Sequence, residues 1–279
     1  MRRHYDWLFG KISVGLARAV YRQKRAFDAA RDSVRQIVFG SSHAHYGYLP
    51  GEKGSFSLAS GSQDLYTSYE LYRRVSDLAE LKRIVLFVSV FSPGFQTEKS
   101  VYREVCLYYR HYWDIPYRFH REDYFQNRLR QLEERESSFQ PVEVTGHRGE
   151  CDYSFFMGDG TNVPLRVQGH LKNNRRLNGE IDYLDKFLSL AARRGHEAVV
   201  VIPPARSDYV ACCPPNGEMF ETVYALVKRY PDARLLDLFR SPAFVDADFG
   251  DSDHLAPRGA AKLTEIIERP WPSALSAGR

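Results

Sequence analysis

Cysteine is scarce in this chain of 279 residues, and the little there is forms no motif. Cys106, Cys151, Cys212 and Cys213 include no CxxC pair and no zinc-type spacing with histidine, which excludes a disulfide scaffold and a zinc finger. Reduced thiols in a cytosolic protein are the expectation. Glycine-rich phosphate loops are lacking too: no GxGxxG follows a strand-like run and no Gly-Lys-Ser/Thr turn occurs, so nothing calls for a nucleotide. No cofactor and no metal are expected. Charge of one sign is also missing. The 39 basic and 35 acidic residues interleave to a net +4, too even a balance for a nucleic-acid partner. No stretch approaches the ~18 apolar residues of a membrane span. The start, Met1 to Phe9, lacks the apolar core of about 7–15 residues that a secretory signal needs. There is no internal repeat and no low-complexity tract.

What is present is a globular composition. At 43% hydrophobic residues the chain can bury one good core with a sizeable insertion. Its 18 Tyr and 17 Phe suit a large core, a glycan-facing cleft or a protein interface. In the N-terminal segment 1–30, Trp7, Leu8, Ile12, Leu16 and Val20 recur at roughly helical spacing among Lys11, Arg18, Arg22, Lys24 and Arg25. This predicts an amphipathic helix over 5–30. It either packs against the domain or a partner subunit, or lies on the anionic inner face of a membrane. The expected location is the cytoplasm, with that peripheral contact as its one link to a membrane.

From there the pattern alternates. A first strand is expected over 34–40, ended by the turn Gly40-Ser41-Ser42, and a second around Ser55–Ala59. Leu65, Tyr69, Tyr72 and Val75 mark a helix capped by Ser62 or Asp64. The run Arg83 to Phe91 is apolar on both faces and belongs mid-sheet, closed by Ser92-Pro93-Gly94. Residues 100–165 break the rhythm with a Tyr-rich segment, a charged helix near 121–136 and a loop. They read as an insertion that forms a lid or a subunit contact. Leu177 to Leu188 predict a helix stopped near Gly195, Ala198–Ile202 a buried strand, 218–230 a helix, and Arg234–Phe239 the last strand. Pro257 opens the final helix. The expected fold is α/β: a three-layer flavodoxin-like sandwich, its central parallel sheet covered by helices on both faces, in a single domain over 31–270. Residues 271–279 read as a tail.

Two short segments carry the chemistry. Ser42 falls at the carboxyl end of the first strand, where ligands of open α/β sheets bind. Asp251-Ser252-Asp253-His254-Leu255 follows the last strand, so the same sheet edge presents it. Three residues of separation let the Asp251 carboxylate turn back on the His254 Nδ1–H, leaving Nε2 to take a serine proton. Nucleophile, base and orienting acid are what acyl transfer through serine requires. Asp237 is the alternative acid, though its place within a strand suits it less. Asp253 is one residue too near the histidine and is expected to hold the loop. His43 and His45 read as solvated turn residues, or in the case of His43 as lining for an acyl pocket. His170, Lys172 and Asn173 form a polar cluster that is either an ordinary loop or a contact for an anionic or sugar substrate.

These residues resemble the SGNH (GDSL-like) hydrolases and acyltransferases, over most of the chain apart from the N-terminal helix and the 100–165 insertion. Gly40-Ser41-Ser42 matches the first block, with Ser41 where an aspartate is usual, and Asp251 to Leu255 matches the last. The resemblance implies Ser42 as nucleophile, His254 as base and Asp251 as acid. Phe56 to Asp64 looks like the second block, which implies that the backbone amide of Gly61 or Ser62 donates to the oxyanion. The third block departs: Ser89-Val90-Phe91-Ser92-Pro93-Gly94 stands where a Gly-x-Asn-Asp turn is usual. Ser92, or a backbone amide near Gly94, is the expected substitute. By this resemblance the chain is a bacterial-type serine esterase or O-acyltransferase acting on acyl, above all acetyl, esters of a carbohydrate or surface polysaccharide. Its competing expectation is an SGNH-shaped scaffold that binds a glycan or a partner in polysaccharide assembly. Oligomerisation fits either.

Overall fold

The structure, a computed structural model, describes residues 14–51, 54–136, 149 and 162–269. Its helices and strands run α1 (Val14–Ala30), β1 (Gln36–Phe39), α2 (Ser42–Gly47), β2 (Ser55–Ser57), α3 (Leu65–Val75), β3 (Arg83–Phe87), α4 (Glu104–Trp113), α5 (Gln126–Glu136), α6 (Val163–Asn174), α7 (Asp182–Arg194), β4 (Glu197–Ile202), α8 (Ser207–Ala211), α9 (Asn216–Lys228), β5 (Ala233–Asp237) and α10 (Pro257–Glu268). The five strands form one sheet in the order β2-β1-β3-β4-β5, and every pairing is parallel. From β1 the chain steps outward to β2, then crosses back to β3 on the other side. This reversal makes the carboxyl ends of β1 and β3 the crevice of the sheet.

Side-chain alternation along the strands explains why both faces are covered. Ile37, Phe39, Ile84, Leu86, Val200 and Ile202 point to one side, where Leu71 and Tyr72 of α3 and Phe187 and Leu188 of α7 bury them. Val38, Val85, Phe87, Val199 and Val201 point to the other, against Ala44 of α2 and Leu263 and Ile267 of α10. Strands without a polar face are what a doubly covered parallel sheet demands. The α/β three-layer expectation is what the structure has. Expected details hold as well: Asp64 caps α3 by accepting from Thr67 N, Gly195 ends α7 in the left-handed region, and Pro257 opens α10.

Three expectations need correction. The helix predicted from Leu177 begins at Asp182, and Leu177 is fully exposed beyond the end of α6. Residues 163–174 are the helix α6, so His170, Lys172 and Asn173 stand on a helix and not in a loop. Most of the Tyr-rich start of the expected insertion packs into the core: Tyr108, Tyr109 and Trp113 of α4 are buried, Trp113 packs on Phe27 of α1, and Tyr102 before the helix is exposed. An aromatic helix buried against the domain cannot serve as a lid. Residues 137–148 and 150–161 of that segment, with Cys151, lie outside the described residues. So do residues 1–13 and the tail from 270. Over α1 the apolar residues Ala17, Val20 and Phe27 are buried in the domain, which is the packing alternative for this part of the N-terminal helix. No helix among the described residues is long and apolar enough to cross a membrane.

Candidate active site

The site begins with a backbone constraint. Gly40 follows β1 at φ +136°, and a Cβ there would lie 2.9 Å from Phe87 Cβ, so glycine is required for the turn. The chain then enters α2 with Ser41 as its cap residue and Ser42 as its first helical residue. The Gly40 amide donates to Gln63 Oε1 at 2.8 Å, and Gly40 O accepts from Ser60 N at 3.1 Å. Gln63 Nε2 in turn donates to Leu58 O and Tyr109 Oη. Gln63 therefore ties the loop after β2, with Gly61 and Ser62, to the turn that presents Ser42.

The second segment arrives from the far end of the chain. Phe249 and Leu255 form an antiparallel bridge, and Gly250 N donates to His254 O, closing residues 249–255 into a small hairpin. Within it Asp251 Oδ1 accepts from the amides of Asp253 at 3.0 Å and His254 at 2.8 Å. Its other oxygen, Oδ2, accepts from His254 Nδ1 at 2.8 Å, and His254 Nε2 accepts from Ser42 Oγ at 2.8 Å. With Nδ1–H committed to a carboxylate, Nε2 is left as the acceptor for the serine proton. Burial works against ionised Asp251, but the hydrogen bond and charge of His254 outweigh it and hold the carboxyl below its ordinary range. Asp251 is 1% exposed and His254 7%, while Ser42 is half-buried.

Asp237, the alternative acid, is exposed and accepts from Tyr224 Oη at 2.6 Å and Asn216 Nδ2 at 3.0 Å. It has no part in the site. Gly61 and Ser62 are both half-buried; Ser62 sits at φ 60°, and its carbonyl accepts from Thr97 Oγ1 at 2.5 Å. Their amides make no hydrogen bond among the described residues, so either is available to an incoming oxyanion. Ser92 is buried, and its hydroxyl closes its own turn by accepting from Ser89 N at 3.0 Å and pairing with Ser89 Oγ at 3.0 Å. Two asparagines at this turn are committed: Asn174 donates to Val90 O at 2.7 Å and Asn178 to Gly94 O at 2.9 Å.

Sequence reasoning missed a second polar group behind the first. His43 is buried, and its Nε2–H donates to Asp253 Oδ2 at 3.1 Å while Nδ1 accepts from Ser41 Oγ at 3.3 Å. Arg166, from α6, donates through Nε to Asp253 Oδ1 at 2.6 Å. His170, one helical turn further on, accepts from Tyr209 Oη at 2.7 Å, and burial pushes its imidazole down to about 3. Burial likewise lowers His43, against the opposing pull of Asp253. His45 is half-buried beside Tyr46, and Lys172 is exposed. Nothing local signals Arg166: its partner is 87 positions away, and only the i, i+4 pairing with His170 on one helix face hints at a shared target.

His43, Asp253 and His254 bring ligand-capable atoms within 4.8 Å of one another. Both Asp253 oxygens are occupied by Arg166 and His43, and a guanidinium beside the group opposes a cation. The donor set fits a hydrogen-bonded cluster better than a metal seat. A scan against protein-family models matched none to this chain, and a search of curated proteins found no similar sequence.

Proposed function

We propose that this chain is an SGNH-type serine esterase or O-acyltransferase, acting on acyl, preferentially acetyl, esters of a carbohydrate or surface polysaccharide. The observation that carries the chemistry is the unbroken line Ser42 Oγ, His254 Nε2, His254 Nδ1, Asp251 Oδ2, with 2.8 Å at both hydrogen bonds. In this reading Ser42 Oγ attacks the acyl carbonyl as its proton passes to His254 Nε2. Asp251 keeps the ring in the required tautomer and stabilises the imidazolium. The tetrahedral oxyanion is met by the Ser42 amide and that of Gly61 or Ser62. Collapse expels the leaving alkoxide, which takes the proton from His254. Water or a sugar hydroxyl then gives its proton to Nε2 and attacks the acyl-serine, and Ser42 is restored. The glycan acceptor rests on the sequence resemblance and not on a contact in the site.

A second reading, an acyl-glycan or partner-binding scaffold of the same shape, is favoured by one observation: the Ser92 hydroxyl and the Asn174 and Asn178 amides are all engaged within the fold. Loss of one oxyanion donor costs about 3–4 kcal/mol of transition-state stabilisation. The experiment that separates the two is turnover of p-nitrophenyl acetate and of an acetylated oligosaccharide by the full chain, Ser42→Ala and His254→Ala. Turnover lost in both variants supports the enzyme. Absence of turnover in the parent, with oligosaccharide binding unchanged in Ser42→Ala, supports the scaffold.

A further inference from the structure

We infer that Asp253 is a positioning residue of this site, held by Arg166 and working on the His254 imidazole through His43 and through its own charge. The inference rests on the reading of Ser42 as a nucleophile. Its basis is a doubling of the Ser–His–Asp pattern. Adjacent serines of one turn, Ser41 and Ser42, address different imidazoles, His43 and His254. Those imidazoles address different carboxylates, Asp253 and Asp251, of one hairpin. Only one line can react. Ser41 is 2% exposed and out of reach of a substrate, whereas Ser42 is only half-buried.

The two lines touch through their rings. The centroids of His43 and His254 are 4.9 Å apart at 34°, and Tyr46 meets His254 edge-on at 5.2 Å. The hydrogen bond that His43 donates to Asp253 sets the rotation of His43, and His43 forms one wall of the slot in which His254 must keep its angle to Ser42. Asp253 also acts directly by charge, since its Oδ1 is 3.9 Å from His254 Nδ1. Burial works against its ionisation, yet the His43 hydrogen bond and the His254 and Arg166 charges hold it well below the usual carboxylate range. The groups facing His254 are therefore Asp251 and Asp253 from its own hairpin and Ser42, His43 and Tyr46 from α2. Arg166 and His170 of α6 act through Asp253, and Tyr209 of α8 through His170. A negative charge at this range favours the imidazolium that forms in each proton transfer, and the Arg166 guanidinium tempers that pull.

Opposite-signed pH effects test this on the full chain, with p-nitrophenyl acetate as the probe. For Asp253→Asn the acid limb of the pH–rate profile is expected to move to lower pH, because the imidazolium loses a neighbouring anion. Its kcat is expected to fall on the order of 10- to 100-fold with little change in KM. For Arg166→Gln the limb is expected to move up, because Asp253 keeps its charge and loses its counterion. Asp253→Glu is expected to recover part of the Asn loss. Should Asp253→Asn fail to fold, the direction in Arg166→Gln decides. Limbs that stay put, or that move the same way in both variants, overturn the inference and leave the Ser42 reading standing. A parent without Ser42-dependent turnover overturns both.

Discussion

Ser42 Oγ and His254 Nε2 meet at 2.8 Å although 212 positions of sequence separate them. The sheet brings them together. β1 delivers Ser42 at the crevice between β1 and β3, and the hairpin after β5 returns across the same edge before α10 packs against α2. Each side of the pair is fixed by its own local device, Gly40 on one and the Asp251 amide bonds on the other.

Asp251→Asn is expected to fold and to lose about 10³–10⁴-fold in kcat. An asparagine Oδ1 keeps the two backbone amide bonds, while its Nδ2 turns a donor toward His254 Nδ1 and forces the proton onto Nε2. Asp237→Asn, at an exposed carboxylate bound to Tyr224 and Asn216, is expected to leave the rate unchanged. Steady-state kinetics on the two variants, with circular dichroism for folding, checks both.

Ser92→Ala is expected to change kcat by less than about threefold, far short of the 10²–10³ that an oxyanion donor is worth. The Ser92 hydroxyl is engaged with Ser89 N and Ser89 Oγ. A loss of 10² or more would place it among the oxyanion donors.

Gly94→Ala is expected to destabilise the protein by about 1–3 kcal/mol. A Cβ at Gly94 would lie 2.2 Å from Asn173 O and 2.7 Å from Arg176 Cβ, so α6 must move away from the turn after β3. Urea unfolding measures the loss. Arg166 rides on α6, so activity is expected to fall with stability.

Stability is expected to drop as pH falls below about 6.5. Desolvation favours the neutral form of buried His43 and half-buried His170, with folded values below the ordinary 6.5 and that of His170 near 3. The unfolded chain therefore binds protons that the folded chain refuses. The stabilisation is complete above 6.5 and is lost progressively on acidification, at about 1.4 kcal/mol per pH unit for each such proton. Asp251 and Asp253, whose folded values are depressed, add a further loss below about pH 4. Denaturant unfolding of the parent and of His170→Asn between pH 7 and 4 tests the first part, the variant having the shallower slope.

How much of this was legible in the sequence depends on how local each signal is. Strands buried on both faces, such as Val199 to Ile202, announce themselves as apolar runs, and the order of strands and helices implies the parallel sheet. The turn at Gly40 and the spacing of Asp251 and His254 are local as well, and the structure joins them as expected. α6 was missed although Val163, Val167 and Leu171 stand at i, i+4 and i+8 after an Asn162 cap: only Val167 is fully buried, the positions between are mostly polar, and Leu177 beyond its end is apolar yet fully exposed. The Asp253 cluster was hidden for a different reason. Its pairings span 210 positions to His43 and 87 to Arg166, and no spacing rule reaches that far.

The most direct measurement is covalent capture with a fluorophosphonate probe, read by intact mass and by mapping of the labelled peptide. One adduct per chain, on Ser42, absent from Ser42→Ala and strongly slowed in His254→Ala, is the expected result. A parent that stays unlabelled, or an adduct on another residue that survives in Ser42→Ala, contradicts the account.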